Sequence, residues 1–255
     1  MINKRKFIQL VIIIAVMFIF TSAAYADTPI TLPKIPMANT PQEVSSSIQV
    51  LLLITVLALA PSILIMMTSF TRIIIVLSFL RNALGTQQMP PNQVLIGLAL
   101  FLSLFIMMPV GTDIYNQAYK PYSNSQITST EALNRASTSI KGWMLKQMGS
   151  KEKEKDLAMF ASLSGIKLPV QKEKLPLNVV IPAFMISELK TAFIMGFLIF
   201  IPFLVIDMVV SSTLMSMGMM MLPPVMISLP FKILLFILVD GWKLVTQALV
   251  SGFVK

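Results

Sequence analysis

Long apolar runs alternate with short polar or proline-containing stretches along most of the chain. The runs cover residues 48–80, with a polar interruption at 68–72, and then residues 95–110, 181–210 and 225–250. Apolar runs of about 20 residues are typical of helices that cross a membrane. The pattern therefore predicts an all-α, membrane-associated protein with four long helical arms.

Turn-forming residues between the arms indicate how the predicted helices are connected. Residues 85–92 read GTQQMPPN, and residues 211–224 end in GMMMLPP. A proline suits the first turn of a helix, because its missing N–H would have no intrahelical partner there. We therefore expect a first helical hairpin at residues 48–111 and a second at residues 181–255.

A polar insertion, residues 112–180, separates the two predicted hairpins and holds about half of the charged residues. Thr128 and Glu131 have the spacing of a capping box, which marks the start of a helix. Gly149 is expected to end that helix, and Ser150 to cap a second one. The insertion is thus predicted to be helical as well.

The N-terminal sequence is typical of a secretory signal peptide, residues 1–26. Basic residues at 4–6 precede an apolar run at 7–20, and Ala-Tyr-Ala at 24–26 offers a cleavage site of small residues. Cleavage leaves residues 27–47 as an extended leader. A retained first membrane helix is the alternative, and the shortness of the run favours cleavage.

A topology follows from the signal peptide and the four arms. The mature N-terminus, the insertion and the C-terminus are expected on the side of the membrane away from the cytoplasm. The turns at 85–92 and 211–224 are then expected to face the cytoplasm. Arg72 and Arg81, interpreted as flanks of the first turn, agree with the tendency of basic residues to remain inside.

The composition excludes several classes of function. Of 255 residues, 56% are hydrophobic and 12% are charged, as expected of a membrane protein. The net charge of +9 comes from dispersed basic residues without interleaved aromatics, which does not favour nucleic-acid binding. The sequence has no Cys and no His, so disulfides, Cys/His metal sites and His-based catalytic triads are excluded. We expect neither an enzyme nor a cofactor.

Each arm of the second hairpin carries one charge, Asp207 on the first arm and Lys232 on the second. Their midpoint falls between Met219 and Met220, so an antiparallel hairpin places both at one depth, roughly 18–20 Å from the turn. A charge at membrane depth costs at least about 2.5–3.5 kcal/mol. The two residues are therefore expected to pair, within one chain or between neighbouring chains.

The turn of the second hairpin is apolar, although turns are normally polar. Methionine side chains are flexible and repack around different shapes. Ordinary core packing explains most of the 20 methionines of this chain. For Met219, Met220 and Met221 we favour a deformable apolar collar around a passage.

Carboxylates in or beside the arms leave a second function open. Glu188, Asp207 and Asp240 could act as proton relays in an ion- or proton-coupled small-solute transporter. Glu188 is a candidate functional charge in either case, and it lies on a different helix face from Lys190. Transporters usually have more spans in one chain, so four arms favour a subunit that builds its pore by oligomerising.

Three stretches carry a resemblance to a known family. They are SFTRIIIVLSFLRNALGTQQMPPNQVLIGLALF at residues 69–101, PAFMISELKTAF at residues 182–193, and the segment from GMMMLPP to LPFKILLFILVDGW at residues 218–242. The sequence resembles the FliP/SctR family of type III secretion export-gate subunits, of which the flagellar branch is the better match. The resemblance covers most of residues 48–110 and 182–250.

The resemblance implies an assembly in which about five copies join FliQ and FliR in a closed, cone-shaped helical gate in the flagellar basal body. FlhA and the switch protein FlhB would be further partners, and unfolded flagellar proteins would pass through. Met219, Met220 and Met221 would form the gasket of the closed pore, and Asp207 and Lys232 would link neighbouring subunits. The assembled arms would lie largely above the bilayer, whereas hydropathy alone predicts four spans.

Overall fold

The computed structural model describes residues 41–86, 89–166, 171–219 and 222–253, and every regular element in these ranges is a helix. The predicted all-α fold class is confirmed. The signal peptide and residues 27–40 of the leader lie outside the described residues.

The helices follow one another in the order α1 Pro41–Met67, α2 Phe70–Leu84, α3 Asn92–Ile114, α4 Ser129–Gln147, α5 Lys151–Leu163, α6 Leu177–Ser216, α7 Pro224–Leu238 and α8 Gly241–Ser251. A π-helical turn, Tyr115–Tyr119, and an α-helical turn, Lys120–Ser123, extend α3. A 3₁₀ turn, Lys172–Lys174, precedes α6.

The helices of the insertion begin where the sequence predicts. Thr128 Oγ1 accepts a hydrogen bond from the backbone N–H of Glu131, and Ser150 Oγ accepts one from the N–H of Lys153. These caps satisfy N–H groups that have no partner inside the helix. Both predicted helix starts are therefore confirmed.

Several helices are long and apolar enough to cross a membrane. Among the described residues, two helices qualify alone, Asn92–Ser123 and Leu177–Ser216. Two bent pairs would add one span each if each pair counts as one: Ile48–Leu59 with Pro61–Met67, and Pro224–Leu238 with Gly241–Ser251. The part of the chain that the structure describes therefore offers two to four spans by length and composition.

The chain divides into two compact units, Met1–Ala58 and Leu59–Lys255. The described part of the first unit is the beginning of α1. Helices α2 to α8 lie entirely within the second unit. The division of the chain into leader, hairpins and insertion stays a prediction.

Helix α2 lies at the centre of the larger core. Its inward side chains follow the spacing of one helix face and are fully or almost fully buried: Ile73, Val76, Leu77, Leu80 and Ala83. They pack with buried side chains from α3, α6, α7 and α8. The predicted arm at 48–80 is therefore two helices, and the second is the most buried part of the unit.

A second core joins the insertion to the start of α6. Met144 of α4, Met148 directly after α4, Leu157 of α5, and Val180 and Phe184 of α6 are all buried in it. Trp143 of α4 packs against both cores. The insertion is therefore docked on the first turns of α6 by apolar burial.

Helices α2 and α6 run side by side in the same direction and approach closely at Gly196. A Cβ atom at Gly196 would lie 2.5 Å from Cγ of Phe79. The Phe79 ring packs edge-on against Phe193, with 5.4 Å between the ring centroids. Gly196 is thus required by the packing of α2 on α6.

Replacing Gly196 with Ala is expected to destabilise the protein by about 1–3 kcal/mol, because the ring of Phe79 would have to move within a packed interface. Gly97→Ala in α3 is the matched control, since a Cβ there meets no atom within 4 Å. A helical Gly→Ala change without a clash is expected to stabilise by roughly 0.5–1 kcal/mol. Thermal unfolding of detergent-purified protein separates the two. Equal midpoints for the two variants would contradict the close approach.

Candidate functional site

The second hairpin is closed by the predicted charge pair. Lys232 Nζ of α7 lies 2.6 Å from Asp207 Oδ2 of α6, in the same chain. Ser228, one helical turn before Lys232, donates its hydroxyl to Asp207 Oδ1 at 2.5 Å. The two charges therefore lie at the same level of the hairpin and pair within one chain. Pairing with a neighbouring subunit, which the family resemblance implies, stays a prediction.

The two partners differ in exposure. The side chain of Lys232 is 4% exposed, whereas that of Asp207 is 31% exposed. Asp207 borders an open groove on α6, lined also by Leu204, Met208, Ser211, Ser212, Met215 and Ser216. One side of the carboxylate therefore remains accessible to another molecule.

The second hairpin extends beyond the turn of the first. A Cβ atom at Gly85, which directly follows α2, would lie 3.8 Å from Lys232 Nζ. The charge pair is therefore level with the first turn. Helix α6 continues for nine residues beyond Asp207 to Ser216, or about 14 Å. The methionine-containing tip follows that extension.

Met219 lies at this tip and is exposed, as are Met215 and Met217 before it. Gly218 has a φ of +73°, a left-handed conformation that glycine adopts without strain. Met220 and Met221 lie outside the described residues. The gasket hypothesis therefore has a described position only for Met219.

Glu188 forms a buried ion pair with Arg72 of α2. Arg72 Nε lies 2.6 Å from Glu188 Oε2, and Arg72 Nη2 lies 2.5 Å from Oε1. The side chains are 2% and 1% exposed. Two parallel N–H···O bonds make this a bidentate, charge-assisted pair, which fixes the relative position of α2 and α6.

The interpretation of Arg72 as a flank of the first turn is wrong. Arg72 is near the start of α2, away from the turn, and its partner lies 116 positions later in the sequence. Arg81 does lie beside the turn, where Nη1 donates to Asn92 Oδ1 at 2.5 Å. The sequence around a basic residue between apolar runs does not show whether its side chain is solvated or pairs with a distant carboxylate. The position of Arg72 was therefore misinterpreted.

Lys153 of α5 gives Glu188 a second cationic neighbour. Its Nζ lies 3.3 Å from Glu188 Oε1, and its side chain is 19% exposed. Burial lowers the pKa of Lys153 from its usual 10.5, although the Glu188 carboxylate opposes this change. The folded protein therefore releases this proton at a lower pH than the unfolded chain. Burial of the charged Lys153 lowers the free energy of unfolding at neutral pH, and this destabilisation disappears as the pH rises towards 10.5.

Comparison with known proteins supplies the family. Residues 53–249 match the model of the FliP family. The flagellar biosynthetic protein FliP of Bacillus subtilis is 56% identical over 216 residues, which are 85% of this chain and 96% of that protein. The chain belongs to the FliP family. The FliP proteins of Pectobacterium carotovorum and Borreliella burgdorferi are 52% and 49% identical, over 86% and 83% of this chain and 83% of each relative.

The segment that matches the FliP family contains both the Arg72–Glu188 and the Asp207–Lys232 pair. Arg72, Glu188, Asp207 and Lys232 all lie between residues 53 and 249. Lys153, in the insertion, lies in the same segment. Phe253, which follows α8, lies outside it.

Glu188→Ala is expected to destabilise the protein by about 3–5 kcal/mol, because it leaves the Arg72 guanidinium buried without its carboxylate. Glu154→Ala is the matched control, since Glu154 pairs with Lys172 at the surface and both side chains are more than 40% exposed. Loss of such a pair costs about 0–1 kcal/mol. The measurement is the yield and thermal unfolding midpoint of the purified protein. Similar decreases in yield and unfolding midpoint in the two variants would mean that the buried Arg72–Glu188 pair contributes no more to stability than a surface pair.

Proposed function

We propose that this chain is a non-enzymatic, pore-forming subunit of the flagellar type III export gate. The observation that carries the proposal is the second hairpin, which extends past the first turn and presents methionines at its tip. Membership in the FliP family supports it, because relatives that match most of this chain are named flagellar biosynthetic proteins. Unfolded flagellar proteins are the proposed cargo.

The outer surfaces of α6 and α7 support an oligomeric pore. Large apolar side chains on them are exposed: Phe197, Leu198, Val205, Met208 and Val209 on α6, and Phe231, Leu234, Ile237 and Leu238 on α7. Exposed apolar area of this extent is typical of surfaces covered by lipid or by other proteins. We propose that further copies of the chain, with FliQ and FliR, cover part of it. FlhA and FlhB are proposed as neighbours in the same apparatus.

The chain is membrane-associated, and its orientation is part of the proposal. Helices α2 and α6 are parallel, so the two turns lie towards the same end of the second unit, and the docked insertion lies towards the other. We propose that the insertion faces the periplasm and the turns the cytoplasm. A proton-relay transporter has less support, because each of its candidate carboxylates, Glu188 and Asp207, forms an ion pair with a basic side chain of this chain, Arg72 and Lys232, within 2.6 Å.

Replacing Met219, Met220 and Met221 together with Ala is expected to make the assembled gate leak ions. The substitution removes flexible apolar bulk from each copy at the tip, while the charge pairs that hold the hairpins remain. Conductance of the purified complex in a planar bilayer is the measurement. The control replaces Met89, Met108 and Met159, which are also exposed but lie outside the tip. An assembled tip variant as tight as the parent complex would exclude a methionine gasket.

Asp207→Ala and Lys232→Ala are each expected to reduce the yield of intact complex. The loss should be larger for Asp207→Ala, since it leaves the buried Lys232 ammonium without its carboxylate, whereas Asp207 is partly exposed and keeps its hydrogen bond from Ser228. The exchanged variant, Asp207→Lys with Lys232→Asp, is expected to recover part of the yield. Native gels provide the measurement. A wild-type yield from either alanine variant would refute the role of the pair.

The same exchange tests whether the pair also contributes between subunits. We propose that the exposed side of Asp207 contacts a neighbouring copy. Co-expression of an Asp207→Lys chain with a Lys232→Asp chain should then give a partial yield of complex. A pair that acts only within one chain gives none from this mixture, although the doubly exchanged chain still assembles.

A further inference from the structure

The Arg72 guanidinium has contacts on three sides, and Glu188 makes only one of them. The Glu188 carboxylate occupies the edge formed by Nε and Nη2. On the remaining side, Nη1 donates to the backbone carbonyl of Gly252 at 3.4 Å. A buried guanidinium N–H without an acceptor would be costly, so the Gly252 carbonyl supplies this buried cation with an acceptor that Glu188 does not.

The face of the same guanidinium is covered by the next residue. Arg72 Cζ lies 3.7 Å from the centroid of the Phe253 ring. A cation over an aromatic face is attracted to it, and more strongly where water is excluded. Phe253 is 4% exposed. The ion pair is therefore closed on this side by a residue that follows the last helix.

The Gly252–Phe253 segment is also bound to the insertion. Gln147 Nε2 of α4 donates to the carbonyl of Phe253 at 3.2 Å. The Trp143 ring stacks on Phe253 at 6.1 Å between centroids and meets Phe184 of α6 edge-on at 5.5 Å. One short segment thus contacts α2 through Arg72 and α4 through two side chains.

The fit at Gly252 leaves little room. A Cβ atom there would lie 3.2 Å from Arg72 Nη1 and 3.3 Å from the carbonyl oxygen of Ala248. The chain can follow this path past the guanidinium because the residue has no side chain. Gly252 and Phe253 therefore act together, the first by its backbone and the second by its ring.

We propose that Gly252–Phe253 is a latch that closes over the Arg72–Glu188 pair and locks the insertion to α2 and α6. When the segment is docked, Arg72 holds α2 to α6 and Trp143 is held between α6 and the latch. When it is released, water reaches the guanidinium and α4 loses its contacts with Phe253. The latch does not depend on the export role, because every contact that defines it lies within one chain.

Fluorescence of Trp143 tests the latch. The sequence has two tryptophans, so Trp242→Phe leaves Trp143 as the sole emitter. In that background, Phe253→Ala is expected to shift the emission to longer wavelength and to increase quenching by acrylamide. Hydrogen exchange should become about tenfold faster in α4 around Trp143 and in α2 around Arg72, while the amides beside Asp207 keep the parent rate.

Two variants keep the test decisive. Phe101→Ala removes an exposed phenylalanine from α3 and should change neither signal. Phe253→Leu keeps an apolar side chain but loses the aromatic face. If the ring acts through the guanidinium, the amides of α2 around Arg72 should exchange as fast in Phe253→Leu as in Phe253→Ala. If hydrogen exchange in Phe253→Leu matches that of the parent, any apolar side chain suffices at this position, and the latch proposal is overturned. Parent-like fluorescence and exchange in Phe253→Ala would overturn it as well.

A double-mutant cycle gives an independent answer. Arg72→Lys keeps the positive charge but removes the planar group that Phe253 covers. If the latch acts through Arg72, Phe253→Ala should change the exchange rate much less in the Arg72→Lys background than in the parent. Equal changes in both backgrounds would contradict the proposal.

Discussion

The buried pair of Arg72 and Glu188 is the constraint on which the arrangement of the second unit depends. A buried ion pair contributes little net stability compared with apolar residues, but an unmatched charge in its place is costly. The pair therefore fixes a register, because any sliding of α2 along α6 would separate two desolvated charges. Gly196 lies further along the same interface and allows Phe79 to pack at close range. Lys153 brings α5 to the same carboxylate, so the insertion is positioned by this site as well.

The second charge pair has a different environment and, we infer, a different use. Asp207 and Lys232 join α6 to α7 level with the turn of the first hairpin, and Asp207 remains partly open to a groove. Beyond this level the side chains of the second hairpin are largely exposed. The helices are fixed by ion pairs at one end, and the apolar tip at the other end is exposed. This arrangement suits a subunit whose tip packs against neighbouring copies. This division of roles is the physical basis of the proposed gate.

Local signals made much of this fold predictable. The apolar runs predicted the helices, the caps at Thr128 and Ser150 predicted two helix starts, and the symmetric spacing of Asp207 and Lys232 about the turn predicted their common depth. The partner of Glu188 was not predictable in this way, because Arg72 is distant in sequence and no periodicity connects them. The close approach of Gly196 to Phe79 was not predictable for the same reason. Long-range contacts of single side chains are decided by the packing of whole helices, which a pattern along one segment does not contain.

Contact between the hairpin tip and a protein in transit tests the central claim most directly. The sequence contains no cysteine, so Met219→Cys introduces a single thiol at the tip. A flagellar export substrate that carries one cysteine and a folded domain can be stalled in the gate and oxidised with copper phenanthroline. We predict a disulfide-linked adduct of the chain and the substrate for Met219→Cys, and none for Leu133→Cys on the exposed surface of α4. Export through complexes that contain Met219→Cys, with no adduct at that position or with equal adducts at both positions, would contradict the account.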